Sequence, residues 1–468
     1  MNLMTKGFRH GLLSAVVFGL LLLTSCSEEK DAEILNLAPQ NGGPSTPSDQ
    51  KIMSCSECTF IVPPGTKVID GKVEGFKPGD VICLSSAQQY HFLSLKNING
   101  TAAKPITVRN CDGIATIHEE TVAYALRFES SKHYRLTGGD NPGEYGIKIT
   151  GSPSNGVVMG YLTSDFEVDH LEVSNVGFAG IMAKTDPSCD DATIRGNYTM
   201  RNVSFHDNYI HDSHGEGFYI GHSSYSGKET TCGMRMPHII ENVKVYRNIV
   251  KNSGWDGIQL SSAPHGAEIY ENVIENFATD NKAAQRSGIC IGGGTGGACY
   301  NNLIKNGNGS GIQALGTADN TIHNNIVIGA TTFGIFCDER TSPGNGYRIL
   351  QNTVINAGKA SVLIYAEKVP NNEVLNNIFI QEGVDNTLES NFIQVLSKEV
   401  KMESVNNFFG STITDLHFKD PSQANFQLTD RSPVIDKGAD VSRFKLVKDF
   451  YSKERLKGLR YDIGASEF

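Results

Sequence analysis

Two acidic residues occupy the same place in two copies of one short pattern. Glu216-Gly217-Phe218-Tyr219-Ile220 and Asp256-Gly257-Ile258-Gln259-Leu260 each set a carboxylate directly before Gly and an apolar run. If the copies stack as neighbouring strands, the two backbones lie about 5 Å apart. A carboxylate pair at that spacing can share one proton, hold Ca²⁺, or act as acid and base on a glycosidic bond. The bland alternative is that each acid caps N–H groups of its own turn. Lys184 and His222 flank the pair in this construction and add candidate proton acceptors, with His214, Lys228, Arg235 and His238 close by. The expected catalytic set is therefore Glu216, Asp256, Lys184 and His222. Glu216 and Asp256 become the metal ligands if Ca²⁺ is used, and no other cofactor is indicated.

Positioning such a set requires a repeated coil. Asn248-Ile-Val-Lys-Asn252 precedes the Asp256 pattern as Asn208-Tyr-Ile-His-Asp212 precedes the Glu216 pattern. Asn272-Val-Ile-Glu-Asn276 leads to Ser287-Gly288-Ile289, and Asn302-Leu-Ile-Lys-Asn306 leads to Ser310-Gly311-Ile312. Asn325-Ile-Val-Ile leads in the same way to Phe333-Gly334-Ile335. The Gly positions 180, 217, 257, 288, 311 and 334 step by 37, 40, 31, 23 and 23 residues. The shortest step is the bare coil, and the longer ones carry insertions. Short strands that cannot bury their apolar side alone form a continuous core when stacked, and Asn at matching places can ladder through its amide. The 23-residue step is too short for propeller blades. The expected fold is all-β: a single-stranded right-handed parallel β-helix with edge loop insertions.

Alternation along the strand after Gly assigns faces. Ile181, Phe218, Ile258, Ile289, Ile312 and Ile335 should point inward, and Met182, Tyr219, Gln259, Cys290, Gln313 and Phe336 outward. A second outward row runs Lys184, Gly221, Ser261, Gly292 and Asp338. An amphipathic, partly aromatic row with Gly gaps suits a sugar chain lying along the axis. Tyr219, Trp255, Gln259, Gln313 and Arg235 are the expected substrate-binding residues. Insertions 185–199 and 222–238 leave the same edge of neighbouring coils and should wall this face, while a third, 277–286, lies before the Ser287 strand. The first two each carry a Cys, Cys189 and Cys232, that could be bridged.

The repeats resemble those of the pectate-lyase-like β-helix superfamily from about Thr66 to the C-terminus. Phe76-Lys-Pro-Gly-Asp80 and Gly100-Thr-Ala-Ala-Lys-Pro-Ile-Thr-Val-Arg109 resemble the first coils of secreted polysaccharide lyases. Ser432-Pro-Val-Ile-Asp436-Lys-Gly438 and Asp462-Ile-Gly-Ala465 resemble the closing segment of bacterial extracellular β-helix proteins. The resemblance implies action on a polysaccharide. It carries over no catalytic residue, because the Arg-His-Gly strand of the alginate-lyase type and the polygalacturonase motifs are missing.

The N-terminus sets the compartment. Lys6 and Arg9 precede an apolar run from Leu12 to Leu23, the layout of a signal peptide. Leu23-Thr24-Ser25-Cys26 resembles a bacterial lipobox, and the acidic Ser27-Glu28-Glu29-Lys30-Asp31 resembles the surface-export signal of Bacteroidota lipoproteins. The expected organisation is a signal peptide over 1–25, lipidated Cys26 and a linker over 26–53, and the β-helix with its two caps over 54–468. Such a chain sits on the outer membrane, probing extracellular polysaccharide.

Composition excludes other classes. The net charge of −10 becomes −12 once a leader carrying Lys6 and Arg9 is removed, which argues against a nucleic-acid partner. With 49 Gly and 39% hydrophobic residues, the chain is a poor membrane bundle. Cys55-Ser-Glu-Cys58 lacks the second pair that zinc needs and the βαβ context of a redox site, and Cys83, Cys290 and Cys337 read as plain strand residues. The leading reading is a polysaccharide lyase or glycoside hydrolase. The alternatives are a non-catalytic glycan-binding or adhesive β-helix, or a structural component of an outer-membrane glycan-uptake assembly.

Overall fold

The computed structural model describes residues 53–139, 143–338 and 344–468. The leader, Cys26 and the linker as far as residue 52 lie outside the described residues. Each coil contributes one strand to each of three long parallel sheets, of 13, 12 and 12 strands. Every strand pairs with its counterpart one coil on, so the order in each sheet follows the chain, and each connection crosses over through the strands of the other two sheets. The result is a right-handed parallel β-helix.

Register follows the Gly repeat. Ile181, Phe218, Ile258, Ile289, Ile312 and Ile335 are successive partners in one 12-stranded sheet, and all are fully buried. A one-residue slip would have turned this column to solvent. Gly217 shows why its position is small: a Cβ there would stand 2.5 Å from the Gly257 carbonyl oxygen and from Val250 Cγ1.

Asn builds one corner of the coil. Asn208, Asn248, Asn272, Asn302, Asn325, Asn352, Asn377 and half-buried Asn407 form a ladder, each side-chain Nδ2 donating to the next Oδ1 at 2.9–3.0 Å, the first seven fully within the core. The residue before each, from Asp207 to Asn406, is left-handed, with φ between 51° and 57°. That conformation is costly for non-Gly residues, and the ladder offsets it by satisfying the N–H groups of the turn. A second column stacks on the 13-stranded sheet: His206, Tyr246, Tyr270, Tyr300 and His323, with ring centroids 4.6–4.9 Å apart.

The ends are sealed differently. At the N-terminal end of the coils, Cys55 opens a single 3₁₀ turn and Cys58 caps it, and they bond Cys111 and Cys83, with Cα separations of 5.0 and 6.0 Å. Cys83 is thus not the plain strand residue the sequence implied. Spacing of three residues aims both thiols of the turn at neighbouring strands, Val81–Ser85 and Ile106–Cys111. At the C-terminus, the segment beyond Asn425–Leu428 folds back along the coils, where Arg455 donates to Asn324 Oδ1 at 2.7 Å and pairs with buried Glu467.

Candidate active site

The outward row is in register as expected: Met182, Tyr219, Gln259, Cys290, Gln313 and Phe336 are successive partners. It is less open than its pattern implied. Tyr219, Gln259 and Cys290 are each under a tenth exposed, and Ser261 and Asp338 in the second row are buried. The Gly gaps of that row do not make room for a ligand. A Cβ on Gly221 would meet the Ser261 carbonyl oxygen at 1.9 Å, and one on Gly292 would meet Ser261 Oγ at 2.0 Å. Neighbouring coils fill those gaps.

Insertions stand on both sides of the sheet. The 185–199 and 222–238 insertions leave the C-terminal ends of Ile181–Ala183 and Phe218–Ile220, and the Cys189–Cys232 disulfide joins them with a Cα separation of 5.6 Å. The 277–286 insertion precedes Ser287–Ile291 and so stands at the opposite edge. Glu216 and Asp256 precede their strands too. The acid pair therefore adjoins the third insertion rather than the two-loop wall.

Glu216 and Asp256 lie one coil apart, with the Gly217 N–H donating to the Asp256 carbonyl at 3.1 Å. Asp256 Oδ1 accepts the Ser287 N–H at 2.7 Å, so this acid does cap the turn of the next coil. Glu216 Oε1 accepts from Gln285 Nε2 at 3.0 Å, while Oε2 is buried without a hydrogen-bond partner among the described residues. Burial pushes the Glu216 carboxyl up to about 7, against the pull of its own backbone N–H and of Lys282 and Lys184. Burial also pushes Asp256 up to about 8, and the nearby Glu216 charge adds to it. The pair thus holds a proton at neutral pH.

An aromatic cluster lies on the same coils, with two lysines whose charges reach Glu216. Phe178 packs edge-on against Tyr219 and Trp255, with centroids 5.8 and 5.2 Å apart. Lys282 Nζ lies 3.1 Å from the Trp255 ring centroid, and Lys184 Nζ lies 4.9 Å from that of Tyr219. Gln313 Oε1 accepts from Ser287 Oγ at 2.7 Å, which links it to the residue that holds Asp256. Gln259 donates to Ser261 Oγ at 3.3 Å.

His222 belongs to another cluster, at the far end of its strand. Asp186 takes Lys184 at 3.0 Å, His222 Nε2 at 3.3 Å and Lys228 at 3.5 Å. The His222 hydrogen bond, then the Lys184 and Lys228 charges, hold the Asp186 carboxyl well below the usual range. His222 Nδ1 accepts the Ser224 N–H at 3.0 Å, which leaves Nε2 as the protonated nitrogen. Lys184 meets both clusters, through the Tyr219 ring and through Asp186. Asp186 falls inside an insertion, where no repeat position marks it. Arg235 sits in the hairpin of Lys228–Thr230 and Gly233–Arg235 and pairs with Asp191 at 3.0 Å, on the wall. Buried His238 accepts the Thr185 N–H and donates to the Ile239 carbonyl; burial pulls it down to about 4, a neutral pin for the wall.

Metal-ligand clusters lie elsewhere. Among the described residues, Cys58, Cys83 and Cys111 converge but are consumed by disulfides. Glu167, Asp169 and His206 converge on the 13-stranded sheet, where Arg135 already pairs with Glu167 at 3.1 Å and Asp169 at 2.8 Å. The acid pair itself offers two carboxylates, each with one oxygen engaged by an N–H donor, against the six to eight oxygens that Ca²⁺ takes. Ca²⁺ does not fit it.

Residues 238–409 match the family model described as a right handed beta helix region. No curated protein matches the sequence. Among solved structures the chain is similar to the pectate lyase Pel9A, at 14% identity and TM-score 0.44, over 88% of this chain and 96% of that one. It is also similar to a GH136 lacto-N-biosidase from Eubacterium ramulus, at 12% identity and TM-score 0.49, over 72% of this chain and 63% of that enzyme, under two thirds of its length. For an alginate lyase from Paenibacillus sp. str. FPU-7 the values are 16% and 0.44, over 66% and 98%. Strand topology and the family match together make the chain a right-handed parallel β-helix protein.

Proposed function

We propose that the chain cleaves glycosidic bonds of an extracellular polysaccharide at the Glu216–Asp256 pair, held at the outer-membrane surface by a lipid on Cys26. The observation that carries the reading is a buried carboxyl pair, one coil apart, with an unpartnered Glu216 oxygen and an aromatic cluster of Phe178, Tyr219 and Trp255 on the same coils. The resemblance of the coils to polysaccharide-acting β-helices points the same way.

The chemistry follows from the proton the pair keeps. Asp256, the more strongly raised, donates its proton to the glycosidic oxygen as the bond to the sugar breaks. Glu216, with Lys282 and Lys184 nearby, is the carboxylate that takes the sugar carbon or activates water. A lyase would instead draw on a base for the sugar C5–H, and with both lysines and His222 engaged that base would again be Glu216; the proton that the pair keeps matches the acid that hydrolysis needs. Hydrolysis is favoured.

Full burial of Glu216 favours a second reading, a glycan-binding module in which the acids only cap turns. Turnover of neutral and uronate-containing glycans, read as reducing ends beside unsaturated uronate absorbance, separates the two. Glu216→Gln and Asp256→Asn keep shape and remove the acid. Turnover retained in both variants would overturn the hydrolase reading.

A further inference from the structure

Glu216 is fully buried, and part of its cover is an insertion rather than the coil. The flanks of that insertion are fixed. The N–H groups of Ala278, Thr279 and Asp280 donate to the carbonyls of Trp255, Ser253 and Gly254 at 2.9–3.0 Å. On the other side, the Arg286 carbonyl accepts the Ser310 N–H at 3.0 Å. Between these anchors, Asn281 N–H donates to Ala278 and Gln285 N–H to Lys282, bonds local to the insertion itself.

Residues 281–284 are exposed and Gln285 is half-buried, and the Lys282 and Gln285 side chains both make contacts with the coil. Gln285 meets Glu216 Oε1 at 3.0 Å, and Lys282 lies 3.1 Å from the Trp255 ring centroid. The backbone turns left-handed twice here, at Asn281 with φ 50°, which Asn tolerates, and at Ala284 with φ 65°, which is costly for Ala. Ala has no side-chain group to repay a left-handed backbone, so contacts made elsewhere must hold it.

We propose that residues 281–285 form a displaceable lid over the Glu216–Asp256 pair, latched by Lys282 on Trp255, and that a pyranose ring stacking on Trp255 takes the place of Lys282. The inference rests on the hydrolase reading and deepens it. The C–H face of a pyranose covers the same indole surface that the ammonium covers, and its hydroxyls give Gln285 and Lys282 new partners. With Lys282 displaced, Gln285 swings off Glu216 and the unpartnered carboxyl oxygen faces the bound sugar. Relief of the left-handed backbone at Ala284 favours the open form.

Trp255 is the sole tryptophan, so the emission of the whole chain reports this contact. Acrylamide quenching is compared in the unmodified chain, Lys282→Ala and Gln285→Ala. Labelling of Glu216 by carbodiimide and glycine ethyl ester is mapped by mass in the same three proteins. Loss of the latch should raise quenching of Trp255 about twofold in Lys282→Ala. Labelling of Glu216 should quicken about tenfold in both variants, with the melting temperature unchanged. Equal quenching in the unmodified chain and Lys282→Ala, or equal labelling of Glu216 in all three, would overturn the lid. Failure of the hydrolase reading looks different: Glu216→Gln and Asp256→Asn would both keep turnover, while Lys282→Ala still speeds labelling.

Discussion

Glu216 and Asp256 stand in the same place on consecutive coils, yet their carboxyls are held differently. Asp256 is tied to the backbone N–H of Ser287, part of the coil, whereas Glu216 is tied to the side chain of Gln285, part of an insertion. One acid is fixed by the repeat and the other by a loop the repeat does not require. That asymmetry gives two chemically equal groups different environments, the usual means of assigning acid and base.

Removing either acid should end turnover. Glu216→Gln and Asp256→Asn are each expected to lower kcat by about 10²–10⁴-fold while glycan affinity stays close to that of the parent. Initial rates and calorimetric binding on the same glycan check this. Addition of EDTA should leave the rate unchanged, since the pair lacks the oxygen donors for Ca²⁺.

The pair should also make stability fall with rising pH. Unfolded carboxyls titrate near pH 4, whereas Glu216 and Asp256 keep their protons to about 7 and about 8 in the fold. The folded chain therefore binds more protons between these limits. The contribution is whole below about pH 4 and is lost as pH rises through about 8. Each pH unit of separation is worth about 1.4 kcal/mol. Buried acids of the closing segment, Asp449, Asp462 and Glu467, are shifted the same way, so the informative quantity is a difference. Urea denaturation at acid and alkaline pH should show a shallower decline in Asp256→Asn than in the parent.

Truncation of the inward column should be costly. Ile258→Ala or Ile289→Ala, each fully buried between like neighbours, is expected to lose about 2–5 kcal/mol. Asn272→Ala should lose about 1–3 kcal/mol, because it strands the N–H and side-chain partners that the ladder satisfies on both sides. Equilibrium denaturation measures both.

Peptide mapping without reduction should recover Cys55–Cys111, Cys58–Cys83 and Cys189–Cys232. Cys290, Cys299 and Cys337 are buried and should resist iodoacetamide until the chain is denatured. Cys189→Ser with Cys232→Ser should speed hydrogen exchange in the two wall insertions and leave the ladder strands protected, since the bridge joins loops and not coils.

Periodicity alone determined the coil. A Gly at each turn, an Ile or Phe directly after it and an Asn at one corner place the core column and the ladder, because stacked strands repeat every contact a coil makes. The same repeat brought Glu216 and Asp256 together. What it could not reach were contacts made by segments without a period. Gln285 on Glu216, Lys282 on Trp255 and Asp186 on His222 all come from insertions, whose path is set by packing against the finished coil. Burial of Tyr219 and Gln259, and the filling of the Gly292 gap by Ser261, likewise arise only when neighbouring coils and loops meet. Local sequence dictates which way a side chain leaves its strand; tertiary structure alone decides whether water or protein awaits it there.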